Sequence, residues 1–400
     1  MAALEYWLWL SSVGLRPRGK AALLERFGDP EAVFRAPAGS FEEIEGIGKA
    51  EAAVLERRDL SLAEEIREAC ERQGIWIVTQ QDAAYPPRLR HIFSPPVVLY
   101  GKGTLPQPET DVPIAVIGTR DNTPYGLRMA ESFGSELARS GATVVSLLTS
   151  EIEQAAAREA MRAGGRVIGV LGVPHERDRR PLAAEVREHG ALLSEYPPFT
   201  RPIRDFFRDR NRVAAGLSVG VLVIEAPEKS GTQLFVAEAA EQGKEIFAVP
   251  GNADADKSAG TLRMIREGAR LVTSGWELLS EFEPLYRQTL HRPAEEEKKP
   301  PQAASEPAKT EKGTETPRKK DIDKPAENAY IDLSKQLEGL TEVQLRIVAA
   351  IDRESMHIDD IIRAADLPVY TVLPQLTLLQ IKGYLRREPG QRYSLNITKK

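Results

Sequence analysis

Residues 201–212 are rich in arginine: they contain five Arg and two Asp, a local net charge of +3 in a chain whose net charge is −5. Arg210, Asn211 and Arg212 end this stretch, directly before an apolar run. Forked guanidinium groups match phosphate oxygens, and Asn adds a further donor. The alternative is that these arginines pair with carboxylates of the same chain. We expect Arg210 and Arg212 to be partly exposed and to have little packing role.

Three turns add groups that suit a phosphate. In the first turn Gly118 allows close backbone approach, Thr119 offers a hydroxyl and Arg120 adds a second charged fork. A predicted helix begins near Pro124, and the N-terminal amides of a helix attract anions. With two later turns, the predicted phosphate-binding set comprises Gly118, Thr119, Arg120, Arg210, Asn211, Arg212, Ser230, Gly231, Thr232 and Gly251.

These turns follow strands of a predicted sheet. Unbroken Val/Ile/Leu runs are typical of strands that are covered on both faces, and helical segments separate them. The pattern predicts an α/β fold, an extended Rossmann-like doubly wound parallel sheet, whose ligands bind at the carboxyl ends of the strands. The predicted strands are Ile114–Ile117, Ala142–Leu148, Arg166–Leu171, Ala191–Glu195, Val219–Glu225, Glu245–Val249 and Arg270–Val272.

The same turns argue against two kinds of cofactor chemistry. A G-x-G-x-x-G fingerprint is absent, because Arg120 and Thr123 occupy its second and third glycine positions. A Walker A loop is absent as well. The sequence therefore predicts no cofactor. The aromatic pair Phe206 and Phe207, beside the arginines, could stack on bases or belong to the core.

Composition divides the chain into four parts. Residues 1–68 read as a small all-α, helix-hairpin-helix-like domain, and residues 69–288 as the α/β core. The h-x-G-h-G turn at residues 44–50 of the helical domain could approach a phosphate or serve helix packing alone. Residues 289–332 read as a disordered, charged and Pro-rich linker. Residues 333–400 read as a winged helix, in which three helices, the last over 369–381, precede a β hairpin around Pro389-Gly390.

Several classes of protein are unlike this composition. Cys70 is the single cysteine, which excludes an intramolecular disulfide. No signal peptide is recognisable at the start, and no apolar run approaches the ~20 residues of a membrane span. We therefore expect a cytoplasmic protein without a membrane partner. A pI near 5.8 permits one basic groove rather than a wholly basic surface.

A series of short motifs runs through the chain in a fixed order: Tyr85–Leu89, Pro95–Gly101, Ile117–Arg120, Leu193–Pro198, Arg210–Arg212, Glu225-Ala226, Ser230–Thr232, Phe247–Gly251 and Gly268-Ala269. Taken together, these motifs resemble the DNA-processing protein A family (DprA, also called Smf). The resemblance implies a non-enzymatic protein that binds single-stranded DNA, protects incoming DNA, and helps load the RecA recombinase during natural transformation and recombination. We also expect a homodimer.

One turn departs from the family pattern. The family has the pattern S-G-x-A-x-G-I-D-x-x-A-H at the positions that correspond to residues 146–157. In this chain both glycines, the Asp and the His of that pattern are replaced. We expect Leu147 and Glu151 to obstruct and repel a phosphate there. A divergent paralogue with weakened DNA binding that acts as a protein-interaction scaffold is therefore an alternative. A second alternative is a nucleotide-binding or nucleotide-hydrolysing enzyme, although Phe235 stands where such a loop needs a carboxylate.

Overall fold

The structure is a computed structural model. It divides into two compact units, Met1–Pro301 and Gln302–Lys400, which are described separately. The described residues are 2–37, 39–44, 46–105, 110–293, 340–351, 355–365, 367, 372, 375–376, 379–380, 384–388 and 392–395.

The first unit begins with five helices: α1 (Leu4–Ser12), α2 (Pro17–Phe27), α3 (Pro30–Arg35), α4 (Lys49–Leu55) and α5 (Ser61–Gln73). Helix α5 continues past the predicted boundary at residue 68 and ends at Gly74, whose left-handed φ of 61° stops the helix. The core of these helices extends to Tyr100, whose hydroxyl lies 2.6 Å from that of Ser11. The helical region and the sheet therefore share a core.

The glycine turn at 44–50 has its own carboxylate. The Gly48 amide donates to Glu51 Oε2 at 2.6 Å, which caps α4 from within the chain. Ile47 is buried beside this turn. Of the two interpretations of the turn, the geometry favours helix packing.

A nine-stranded sheet follows, in the spatial order β1-β2-β6-β5-β4-β3-β7-β8-β9. All seven predicted strands are present, and they are parallel to one another. Strands β1 and β2 were not predicted, and they extend the β6 edge in antiparallel pairing. The strands are β1 (Trp76–Thr79), β2 (Val98–Gly103), β3 (Pro113–Ile117), β4 (Thr143–Ser146), β5 (Arg166–Leu171), β6 (Gly190–Ser194), β7 (Gly220–Val223), β8 (Glu245–Ala248) and β9 (Arg270–Leu271).

The strand order reverses at β3. The chain moves outward from β3 to β6 and then returns to pair β7 with the opposite side of β3. Helices leaving two such strands diverge to opposite faces of the sheet and open a crevice between them. The fold therefore places the turns after β3 and β7 side by side.

Helices cover both faces of the sheet, each over a separate buried cluster. They are α6 (Pro87–Arg90), α7 (Pro124–Arg139), α8 (Glu151–Arg162), α9 (Leu182–His189), α10 (Phe206–Leu217), α11 (Gly231–Glu241), α12 (Ala259–Arg266) and α13 (Gly275–Leu279). Leu290 is buried in one of the clusters, so the core passes the predicted boundary at 288. Residues 294–332 of the predicted linker lie outside the described residues.

The second unit has the elements of a winged helix. Helix α14 (Glu342–Ala350) is followed by β10 (Met356–His357), α15 (Ile358–Ala365) and the hairpin strands β11 (Leu385–Glu388) and β12 (Arg392–Leu395). The third predicted helix, at 369–381, falls largely outside the described residues. Three of its apolar positions are described, and all three are fully buried: Val372, Leu376 and Leu379.

Within the part of the chain that the structure describes, no helix combines the length and the apolar character needed to cross a bilayer.

Candidate nucleic-acid interface

A cleft of about 1140 Å³ opens at the carboxyl ends of β3 and β7. Eight of the ten predicted phosphate-binding residues line it: Gly118, Thr119, Arg120, Arg210, Asn211, Ser230, Gly231 and Thr232. The strand order brings the Gly118 and Ser230 turns together, because they follow the neighbouring strands β3 and β7, while Arg210 and Asn211 come from α10. Arg212 and Gly251 are not among its lining residues.

Arg210 forms a wall of the cleft and is only 5% exposed. Its Nε has no hydrogen-bond partner, and the described residues offer its guanidinium no ion pair. Its one contact of note is with the ring of Phe207, 5.3 Å away. Burial lowers the pKa of Arg210 to about 10, against the opposing charge of Glu153, so the group stays charged at neutral pH. A buried, unpaired cation is costly, and a bound anion would offset that cost.

The N-terminus of α11 lies open to the same cleft. Ser230 is its N-cap residue, yet the Ser230 side chain makes no capping hydrogen bond and its buried Oγ has no partner. The next residue, Gly231, faces open space, since a Cβ placed there would meet no atom within 4 Å. Free amides and the positive end of the helix dipole both favour an anion at this position.

The N-terminus of α7 is closed by a carboxylate of the chain. Glu225, 2% exposed, accepts hydrogen bonds from the backbone amide of Thr123 at 3.0 Å and from its hydroxyl at 2.5 Å. Gly126 follows in the first turn of α7, and a Cβ there would collide with the Glu225 carboxylate. The donors that a phosphate would need at this helix are therefore already in use.

The N-terminus of α8 is closed in the same way by Glu153. Its Oε2 accepts from the Thr149 amide at 2.7 Å, the Thr149 hydroxyl at 2.8 Å and the Ser150 amide at 3.2 Å. Leu147 lines the cleft, as expected, but Glu151 is exposed and is not among the lining residues. The carboxylate at the cleft wall in this rewritten turn is Glu153 rather than Glu151.

Arg212 is a correction to the predicted site. Its Nη atoms donate to both oxygens of Glu195, at 2.9 and 2.5 Å, and its Nε donates to the Ser94 carbonyl at 3.0 Å. Side chains two positions apart on a helix point roughly 200° apart. Arg210 therefore faces the cleft while Arg212 faces the interior. The expectation that both are partly exposed and contribute little to packing was wrong.

The glycines of the predicted site serve packing as well as access. A Cβ on Gly118 would collide with the Ile152 side chain of α8. Gly251, outside the cleft, packs against the side chain of Ser258 in the same way. Arg120 is exposed at the cleft, and no partner for it exists among the residues described.

Other lining residues were not predicted. Lys229 directly precedes the Ser230 turn, so its position after β7 was a readable signal. Lys257 comes from the loop between β8 and α12 and forms an ion pair with Asp121, which no sequence spacing indicates. Phe207 lines the cleft, whereas Phe206 stacks on Tyr196 with ring centroids 3.8 Å apart. Phe206 therefore packs against a ring of the protein, and base stacking by Phe207 stays a prediction.

The model of the family described as DNA recombination-mediator protein A matches residues 76–283, more than half of the chain. The chain belongs to the DNA recombination-mediator protein A family. A second model, the DprA winged helix domain, matches residues 333–391. The predicted family and fold class are thereby confirmed.

Relatives support the assignment along the length of the chain. Protein Smf of Synechocystis is 31% identical over 97% of this chain and 98% of its own length. DNA processing protein DprA of Bacillus subtilis is 36% identical over 54% of this chain and 73% of its own length. The X-ray structure of DprA from Streptococcus pneumoniae superposes with a TM-score of 0.60 at 29% identity, covering 70% of this chain and 99% of that one.

Proposed function

We propose that this chain is a single-stranded DNA-binding protein that acts without catalysis in DNA processing. The observation that carries the proposal is the buried, unpaired guanidinium of Arg210 at the cleft wall, beside the open N-terminus of α11. Both groups favour the same ligand, an anion, and Arg120 and Lys229 add positive charge at the cleft. Phosphates of a nucleic-acid backbone fit this arrangement.

The shape of the cleft favours a single strand over a duplex. Arg210 is almost excluded from solvent and Phe207 contacts its guanidinium, so a ligand must enter the cleft to reach it. A flexible single strand can pass through such a groove with one phosphate inside, whereas a duplex presents its phosphates on a wide, stiff cylinder. The relatives named DNA processing protein DprA support a role on DNA.

The recombination step follows from the family rather than from the cleft. We propose that the bound strand is protected and handed to the RecA recombinase, and that the protein acts in the cytoplasm as a homodimer. Pull-down of RecA by the full chain, with and without a single-stranded oligonucleotide, tests the transfer to RecA. Light scattering, which measures molecular mass, tests whether the protein is a homodimer.

The scaffold alternative has one observation in its favour. Glu225 and Glu153 occupy the N-termini of α7 and α8, which reduces the number of anion sites in the crevice. A protein that binds a protein partner but not DNA would have few open anion sites in this crevice. The experiment below separates the two functions.

Binding of a fluorescein-labelled single strand, followed by anisotropy across a salt series, tests the proposal. The full chain should bind with an affinity that falls as salt rises, and Arg210→Gln should weaken binding about tenfold and reduce the salt slope by ~0.7, the value for one phosphate on a single strand. Arg166→Gln, at an exposed position on the amino end of β5, is the matched control and should change neither. No binding by the unchanged protein at low salt would reject the proposal and favour the scaffold.

A further inference from the structure

A second cavity, of about 410 Å³, opens at the amino ends of the parallel strands. Pro113, the first residue of β3, lines it, whereas Ile117, the last residue of that strand, lines the cleft. No described residue lines both cavities. Cavities of about 300–1,000 Å³ are of the size that holds small organic molecules. This second cavity, which we call the amino-end cavity, is therefore a candidate ligand site separate from the cleft.

An aromatic ring is fixed in the wall of the amino-end cavity. The Trp76 ring lies over Gly101 of the neighbouring strand β2, at the place where a Cβ would be. Its Nε1 donates to the Gly103 carbonyl oxygen at 2.8 Å, which sets the orientation of the ring. Trp76 is half-buried and lines the cavity. An aromatic ring held in this way offers a surface on which a second planar ring stacks.

Two side chains of opposite charge lie in the same wall. The Asp111 carboxylate accepts a hydrogen bond from the Thr143 hydroxyl, and burial raises the pKa of Asp111. Arg88 donates to the Asp111 carbonyl oxygen at 3.0 Å and to the Tyr286 hydroxyl at 2.9 Å. A carboxylate has about four acceptor sites, so Asp111 has capacity for an N–H of a ligand.

The remaining walls decide the charge of the ligand. They are mostly aliphatic, and they include Val78, Leu105, Ile168 and Leu217. A phosphate would lose water against these walls and would approach the Asp111 carboxylate, and both effects disfavour it. The charges of Asp111 and Arg88 balance each other, and an uncharged ligand leaves that balance unchanged. The amino-end cavity thus favours a neutral ligand, whereas the cleft favours an anion.

We propose that the amino-end cavity binds an uncharged planar heteroaromatic ring, which stacks on Trp76 and donates an N–H to Asp111. Free nucleobases and nucleosides belong to this class of ligand. Trp76 lies in the antiparallel edge of the sheet and Asp111 directly precedes the start of the parallel part, so the bound ring connects the two parts. The inference is independent of the proposed function, because it uses no residue that lines the cleft.

Calorimetric titration of the full chain with adenosine, guanosine, cytidine and thymidine tests the inference. At least one of these nucleosides should bind with a Kd below about 1 mM. That Kd should change less than about twofold between low and high salt, because the ligand carries no charge. Methylation of the base N–H groups of the same nucleoside should weaken binding about tenfold, since the hydrogen bond to Asp111 is lost.

Ala84→Trp locates the binding site. Ala84 is exposed and lines the amino-end cavity, so a large side chain at this position fills the cavity with little effect on the core. Nucleoside binding should fall at least about tenfold, while single-strand affinity should stay within about twofold. Ala253→Trp is the matched control, at an exposed position that lines neither cavity, and it should change neither affinity.

Two substitutions of Trp76 test the stacking. Trp76→Ala removes the ring and should weaken nucleoside binding at least about fivefold, whereas Trp76→Phe keeps an aromatic ring and should lose less. Equal losses from both variants would contradict stacking on this residue.

The other outcomes separate this inference from the proposed function. No binding of any of the four nucleosides up to about 1 mM would overturn the inference and leave the proposed function intact. Nucleoside binding that survives Ala84→Trp would overturn it as well, and a loss of that binding in Arg210→Gln would place the nucleoside in the cleft. No binding of single strands by the unchanged protein would reject the proposed function alone.

Discussion

Arg212 and Glu195 form a two-point ion pair in which both side chains are almost excluded from solvent, with N–O distances of 2.9 and 2.5 Å. Arg210 lies two positions earlier on the same helix, is equally buried, and has no carboxylate partner among the described residues. The protein compensates the charge of Arg212 with a carboxylate, and it offers Arg210 none among the described residues.

Removing one member of the compensated pair should destabilise the fold. Arg212→Ala leaves the Glu195 carboxylate buried without its partner, and we expect a loss of about 3–5 kcal/mol in the free energy of unfolding. Urea denaturation measures this loss. The double variant Arg212→Met, Glu195→Leu should lose less than the single variant, because no buried charge remains. Arg208→Ala, exposed on the same helix, should stay within about 0.5 kcal/mol of the unchanged protein.

Neutralising Glu153 should strengthen strand binding. Its carboxylate lines the cleft and interacts electrostatically with Arg210, so it competes with a phosphate for that cation. Glu153→Gln retains an acceptor for the amides at the start of α8 and removes the negative charge. We expect affinity to rise about threefold to tenfold, by anisotropy at constant salt, and stability to fall by about 1 kcal/mol.

Glu151→Gln provides the control for that substitution. It removes the same charge from the same helix terminus, at an exposed position that is not among the cleft-lining residues. Its effect on affinity should be less than twofold and should disappear in high salt. An equal gain from both variants would show that overall charge, rather than the Glu153 contact, controls binding.

His175 should make stability depend on pH. It is buried, with Nε2 2.9 Å from the Tyr100 carbonyl oxygen, and burial lowers its pKa from 6.5 to about 4. Because the folded pKa lies below the unfolded value, its contribution to stability is complete above pH 6.5 and is lost as pH falls toward 4. Each pH unit in that window should cost up to about 1.4 kcal/mol. Urea denaturation at pH 7 and pH 5 should show a weaker pH dependence for His175→Asn but not for His91→Asn, an exposed position.

The winged helix should contribute little to strand binding. Residues 330–400 contain ten Lys/Arg and nine Asp/Glu, so the region offers almost no net charge for phosphates. Deleting residues 330–400 should leave single-strand affinity within about threefold, below the 1.4 kcal/mol of a tenfold change. A tenfold loss would mean that the wing binds DNA and that the principal site has been assigned to the wrong unit.

The parallel sheet was readable from the sequence because its strands are buried on both faces. In β3, for example, all five residues are buried and apolar. The edge pair β1 and β2 was missed, although β2 begins with the buried apolar run Val98, Leu99 and Tyr100. Most of β1 is half-buried, and Gly101 in β2 is small because the Trp76 ring lies where a Cβ would be.

The turns of the cleft and two of its arginines, Arg120 and Arg210, were predictable, but the interior position of Arg212 was not. The turns at Gly118 and Ser230 follow neighbouring strands, so the strand order alone brings them together. To tell that Arg210 faces the cleft and Arg212 the interior, one must know which side of α10 faces the sheet and where Glu195 lies. Both depend on contacts between elements that are distant in the sequence. The closure of α8 by Glu153 likewise depends on hydrogen-bond geometry rather than on residue type.

Strand β2 lies between β1, its neighbour in the chain, and β6, which is synthesised much later. The N-terminal helices can therefore pack on β1 and β2 as the chain leaves the ribosome, before β6 exists. Until then the free edge of β2 exposes backbone groups that could pair with another chain. Lys102 and Gly103 at the end of that strand disfavour such pairing. Folding during synthesis would thus begin at the outer edge of the sheet, and the parallel centre would join last.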